Sequence, residues 1–234
     1  MPNSLPSRTR RTVQHLWEDK VGAKRGTLKT GGVSYVEWPG FDAAVVVDIE
    51  GAHLVAGPAE AIELLRGLSS RQLSDAEATA SALQPLRPEL TGKALLSYAD
   101  ATTFAPVDVS SRARQADRRA MEEVVAKCEV DDRDESGLPE MTSWFVTGDG
   151  GAPVAASGYE GWSPAVAHCG VAVIAEHRGK GWGRSVASAA VGHALGDHDV
   201  VQWRSRDTNR ASTRLGGRLG FAQVGTQTAF DLHP

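Results

Sequence analysis

The stretch CGVAVIAEHRGKGWGRS, residues 169–185, runs an apolar segment into three glycines at alternate positions, Gly179, Gly181 and Gly183, set among basic side chains. Small and β-branched residues bounded by such a loop read as a strand. Trp182, Val186, Ala190 and Ala194 then recur at the spacing of one helix face, so a helix follows. A strand that enters a helix through glycines leaves the first N–H groups of that helix without carbonyl partners and pointing outward. Phosphate is the natural guest there. Two familiar phosphate loops do not fit. A dinucleotide fingerprint G-x-G-x-x-G begun at Gly179 or Gly181 needs glycine at 184 or 186, where Arg184 and Val186 stand. The triphosphate loop G-x-x-x-x-G-K-[ST] fails because Gly179-Lys180 is followed by Gly181. A nucleotide-binding module preferring ATP or NAD is therefore disfavoured, and what remains is R-G-x-G-x-G, Arg178 to Gly183.

Working outward, MTSWFVT, the turn GDGGAP, VAASGYEGW and AVAHCGVAVIA predict three consecutive antiparallel strands before the loop. Upstream, Ala113, Ala116, Ala120, Met121, Val124, Val125 and Cys128 predict an amphipathic helix over 110–128, capped by Ser110 or Ser111. Between them EVDDRDESGLPE, from Glu129, reads as a solvated loop, or as a negative rim that attracts a cationic substrate. Downstream, VVQWRSR is a strand. NRASTRLGGRLG is a short helix with Leu215 and Leu219 inward and Gly220 as its stop, and FAQVGTQTAFDL closes the sheet.

The first hundred residues are less informative. Residues 1–30 are polar and basic, a loose arm or a helix around Val13 to Trp17. VSYVEW and AAVVVDIEGAHLVAG read as strands with a turn at Glu50-Gly51, and Gly57-Pro58 opens a helix through Ile62 and Leu65. Ser74 and Glu77 suggest a capping box for a second helix that Pro85 and Pro88 stop. No acid, base or nucleophile cluster stands out, so this part reads as structural. The fold class expected is α/β of the α+β type: a mixed, mainly antiparallel sheet flanked by helices over 104–234, preceded by a smaller α+β lobe over 1–103.

Composition limits the partners. A net charge of −4 offers no global attraction to nucleic acid or to an anionic membrane. No 18-residue apolar run is present, and the arginines at 8, 10 and 11 precede no apolar stretch, so neither a membrane span nor a leader is expected. Cys128 and Cys169 make no disulfide framework and lack metal-ligand company, which fits a reducing cytoplasm and predicts no metal. The bias of 19 Arg to 6 Lys fits GC-rich codons and hence a bacterium.

The R-G-x-G-x-G loop after an antiparallel strand resembles the pyrophosphate loop of the GNAT superfamily of acyl-CoA-dependent N-acyltransferases. VAVIAEHRGKGWG is similar to the family's strand-to-loop segment, and NRASTRLGGRLGF to its second motif: an Asn, a small hydroxyl residue and a terminal Gly-Phe. The order of helix, three strands, glycine loop and helix, strand, helix, strand is also similar, over about residues 104–234. The resemblance implies acetyl-CoA as acyl donor. Its pyrophosphate would lie on Arg178, Gly179, Lys180, Gly181, Gly183 and Arg184. Its pantetheine arm would lie on the backbone of Val171, Ala172 and Val173, with Asn209 and Ser212 beside it. Asn209 reads equally as a helix cap, and Arg184 as a solvated arginine.

Transfer to an amine needs the ammonium deprotonated and the departing thiolate protonated. The family usually supplies the second proton from a tyrosine five residues before the terminal Phe. Gly216 stands there, leaving Ser212, Tyr159 or solvent. For the base, His168 carries an imidazole whose ordinary pKa near 6.5 suits the task. Strand alternation sets it opposite Cys169, Val171 and Val173, so a structural histidine is an equal reading. Glu160 could act through water, or simply end a turn. Trp203 and Arg204 could line an acceptor pocket, Trp203 equally the core, and Cys169 reads as a small core residue. The expectation is an N-acetyltransferase acting on a primary amine, a small cationic metabolite if the acidic segment steers it, by direct transfer in a ternary complex. A catalytically silent acyl-CoA-binding regulatory protein is the alternative, and a homodimer is left open.

Overall fold

The computed structural model describes residues 5–28, 31–107, 113–150 and 152–233. Its chain divides into two compact units. One gathers residues up to Thr9 with Ser97–Ser205 and Asn209–Ala222; the other gathers Arg10–Leu96, Arg206–Thr208 and Gln223 onward.

Chain order begins with α1 (Ser7–Lys20), so the basic N-terminal segment is a helix, its apolar residues Val13, Leu16 and Trp17 buried. Strands β1 (Val33–Glu37), β2 (Ala43–Ile49) and β3 (Ala52–Gly57) follow, β2 and β3 as a hairpin turned by Glu50 and Gly51, both at positive φ. Helices α2 (Ala59–Leu65), α3 (Ser70–Leu73) and α4 (Ala76–Ala82) come next. The expected Ser74–Glu77 capping box is not formed. Asp75 caps α4 by accepting from the N–H groups of Glu77 and Ala78, and the capping box of this region is Ser69 with Gln72. Asp75 wins because its carboxylate is a stronger acceptor than a hydroxyl and stands one residue closer to the orphan N–H groups. Strand β4 (Glu89–Asp100) then leads into the other unit.

That unit holds β5 (Ala113–Ala116), α5 (Arg118–Val125), α6 (Val130–Ser136), β6 (Ser143–Asp149), β7 (Ala152–Ser163), β8 (Val166–Val173), α7 (Trp182–Asp197), β9 (Val200–Arg206) and α8 (Arg210–Arg218); β10 (Ala222–Asp231) ends the chain. Two expectations fail here. The helix expected over 110–128 is shorter: Ala113–Ala116 pair with Trp144–Thr147 of β6, and Asp117 caps α5 by accepting from Ala120 N–H. The caps expected at Ser110 and Ser111 lie outside the described residues. An alanine spacing that suits a helix also suits an edge strand, and the ladder offered by β6 decides between them. The acidic segment is not a loop but α6, ended by Gly137 in the left-handed conformation, φ 60°.

Strands in this unit run in the order β9-β8-β7-β6-β5, antiparallel except for β8 beside β9. Helix α7 buries Val186, Ala187, Ala190, Val191 and Ala194 on one face, against Tyr159, Cys169, Val201 and Trp203. Helix α5 buries Met121, Val124 and Val125 on the other, against Val146, Ala156 and Ala172. A mixed, mainly antiparallel sheet flanked by helices is the result. In the other unit β1, β3, β2 and β10 are successive neighbours, with Phe230 of β10 in the core beneath α2 and α4. Among the described residues no helix is long and apolar enough to cross a membrane.

Candidate active site

Strand β8 pairs in parallel with β9 only from Val166 to Cys169, opposite Val200 to Trp203. Past Cys169 that ladder stops, so the β8 edge from Gly170 to Val173 is open on the β9 side. A cleft of about 330 Å³ starts there. It is walled by residues 168–173 of β8, by the glycine loop, by Trp203 and Arg204 of β9, by α8, and by Asp132, Glu135 and Ser136 of α6.

The loop end is built for an anion. Gly179 and Gly181 take φ of 76° and 87°, which side chains rarely adopt, and this turns the chain into α7 with Gly181 as its cap. No side chain caps this helix, so the N–H groups of its first turn face the cleft unclaimed. Arg184 Nε and His177 Nδ1, both of cleft-lining residues, are buried without hydrogen-bond partners. A pyrophosphate fits such a donor set. Lys180 turns away from it, its Nζ donating to Glu176 O at 3.1 Å.

Alternation along β8 divides the chemistry between two faces. Cys169, Val171 and Val173 pack toward α7, while His168 faces the other way, cross-strand from Glu160. His168 lines the cleft and stacks on Trp162, ring centroids 4.4 Å apart. Trp162 Nε1 donates to Glu160 Oε1 at 2.7 Å, so Glu160 stands beside His168 but not in the cleft wall. Tyr159 is on the α7 face, its hydroxyl 2.7 Å from His193 Nδ1, and does not line the cleft. Burial pushes the Cys169 thiol up to about 12, more than a hydrogen bond to Ser157 lowers it. It is a protonated core residue, not a nucleophile.

At the far wall Asn209 caps α8, its Oδ1 accepting from Ser212 N–H at 2.9 Å and its Nδ2 donating to Glu135 Oε1 at 3.0 Å. Ser212 Oγ accepts from Trp203 Nε1 at 3.0 Å, which leaves its own hydrogen to donate. A Cβ at Gly216 would stand 3.1–3.3 Å from three atoms of the Trp203 indole, so the buried Trp203 occupies the space that a larger residue 216 would need.

Helix α6 is the part of the site that sequence reasoning missed as structure. Asp132 accepts from Arg178 Nη2 at 2.5 Å, and Glu135 holds Asn209, so two residues expected at the cofactor are both engaged by α6. Gly170 makes room for it: a Cβ there would lie 2.0 Å from Ser136 O, and only glycine lets α6 end against β8, a contact that no local pattern in the sequence signals. Among the described residues no group of three or more His, Cys, Asp or Glu could hold a metal ion.

This fold and cleft belong to a known class. Residues 111–221 match the model of the acetyltransferase (GNAT) family and form a domain of that family. The fold is also that of a GNAT-family protein from Novosphingobium aromaticivorans, TM-score 0.51 at 17% identity, aligned over 63% of this chain and 68% of that one. A GCN5-related N-acetyltransferase from Kribbella flavida aligns with TM-score 0.51 at 15% identity, over 65% of this chain and 63% of its own, less than two thirds of its length. No curated protein matches the sequence.

Proposed function

We propose that the protein transfers an acetyl group from acetyl-CoA to a primary amine, directly, in a ternary complex. The observation that carries this reading is one cleft in which an uncapped helix N-terminus behind the R-G-x-G-x-G loop adjoins the unladdered β8 edge at Gly170–Val173. The loop N–H groups and Arg184 suit the pyrophosphate. The open peptide edge of Val171, Ala172 and Val173 suits the amides of the pantetheine arm, which pair as one more strand would. Acetyl-CoA supplies the activated thioester; the protein's residues hold it and move two protons. His168, on the cleft wall, takes the proton from the attacking ammonium, with Glu160 behind Trp162 holding the stack in place. Ser212, with its hydrogen free to donate, hydrogen-bonds the departing thiolate on the α8 side and relays to it a proton from solvent, so that the hydroxyl is restored. The gap between β8 and β9 lets the acyl group face His168 while the sulfur faces Ser212.

The test follows free thiol while the protein is incubated with acetyl-CoA and a set of amines, alongside CoA, ATP and NAD binding. Amine-dependent thiol release with CoA bound tightest is the expected result, and tighter ATP or NAD binding would overturn it. A silent acyl-CoA-binding regulator is the second reading, favoured by Gly216 in place of a tyrosine; it predicts tight CoA binding with no thiol release from any amine.

A further inference from the structure

The carboxylates of α6 that reach the cleft, Asp132 and Glu135, are committed to Arg178 and Asn209, so little there singles out a simple cation. An unengaged charge of the opposite sign stands in the same cleft. Arg204 is the residue of β9 just past the last parallel pair, Cys169 with Trp203. Trp203 turns toward α7, so alternation turns Arg204 to the face that carries His168. The residue paired with His168 is Gln202, which places Arg204 two residues, about 7 Å, farther along that face.

Several arginines of this unit have a carboxylate nearby: Arg178 has Asp132, Arg118 has Glu122, Arg119 has Glu123. Arg204 lines the cleft and, among the described residues, forms no hydrogen bond or ion pair. Its side chain is exposed and open to the cleft. A guanidinium that lines the cleft on the His168 face with no carboxylate of its own can take one from a bound molecule. The phosphates of acetyl-CoA do not meet this need, because their loop, with Arg178 and Arg184, opens at the other end of the β8 edge.

We infer that Arg204 receives a carboxylate of the acceptor, so that the amine acetylated is that of an amino acid or a close derivative. This rests on the acetyl-transfer reading above. A planar guanidinium matches a carboxylate through two parallel N–H···O bonds, and at about 7 Å from the level of His168 it can hold the carboxylate while the amine meets the base.

The experiment compares glycine, L-alanine, L-phenylalanine and L-glutamate with their α-amides as acceptors, by thiol release, in the wild-type protein, Arg204→Gln and Arg204→Lys. Binding of N-acetylglycine and N-acetylglycinamide in the presence of CoA is measured by calorimetry as a readout independent of turnover. The inference expects acids to be preferred over amides. It expects Arg204→Gln to lower kcat/KM for the acids roughly 10- to 100-fold, with the amides and acetyl-CoA affinity little changed. It expects Arg204→Lys to restore part of the loss, and N-acetylglycine binding to weaken in parallel. Amides served as well as acids by the wild type, or an equal loss for both in Arg204→Gln, would overturn it while leaving acetyl transfer standing. Arg204-dependent binding of N-acetylglycine without any thiol release would keep the carboxylate site and remove acetyl transfer instead.

Discussion

His168 shows how one residue's role depends on which face of its strand is open. Its imidazole is held flat against Trp162 on the cleft wall, while its neighbour Cys169 points into the core and stays protonated. His168→Ala should lower turnover at neutral pH about 10²-fold or more, within the range for a positioned base, and leave CoA affinity unchanged. The wild-type rate should rise with pH as an imidazole loses its proton, and that limb should vanish in the variant. Turnover that survives with the same pH profile would pass the role to Glu160 through water. Ser212 was read as the small hydroxyl residue of the second motif, but its bond from Trp203 was not legible, because nothing in the sequence places 203 against 212.

At the scale of elements, α6 changes the meaning of the acidic segment. The segment EVDDRDESGLPE reads as a solvated loop or a negative rim, yet the helix places Asp132 on Arg178 and Glu135 on Asn209. On the proposed reading Arg178 turns to a phosphate of acetyl-CoA, and its bond to Asp132 competes with that contact. Asp132→Asn should therefore tighten acetyl-CoA binding about two- to five-fold, the scale of a largely exposed ion pair, measured by calorimetry at low salt. Unchanged or weaker binding would show that Asp132 orients Arg178 rather than competing for it. The turn after β4 carries a second prediction. Burial alone would push the Asp100 carboxyl up, but hydrogen bonds from Thr9, Thr102 and Thr103 outweigh it and hold it below the ordinary 3.8. A carboxylate lowered on folding stabilises above its unfolded pKa and loses that contribution as pH falls through the folded one. Asp100→Asn should cost about 1–3 kcal/mol near neutral pH, with the gap from wild type closing below about pH 4 in denaturant titrations. A gap that persists in strong acid would mean that the turn, not the charge, matters.

Across the whole molecule, the last strand belongs with the early part of the chain. Residues 223 onward cluster with Arg10–Leu96, and β10 pairs with β2 from Gly225–Asp231 against Ala43–Ile49. Phe230 is fully buried there among Val46, Ile62 and Leu65. Phe230→Ala should cost about 3–5 kcal/mol, read as a shift in the denaturant midpoint. A shift under 1 kcal/mol would mean that this core is not packed as described. The sequence by itself determined most of the elements, since hydrophobic period, glycine spacing and proline stops are local. The glycine loop and its helix, the hairpins and the helix at Asn209 could all be read from residues a few positions apart. Only the tertiary structure decided that Ala113–Ala116 is a strand, because β6 supplies its ladder. Tertiary structure alone also closed α6 onto the cleft, because Gly170 lies 34 residues beyond Ser136 in the chain yet yields it the space of a side chain. Arg204 stands without a counter-ion for the same reason: which charges meet is set by strand register and helix packing, which no short stretch of sequence contains.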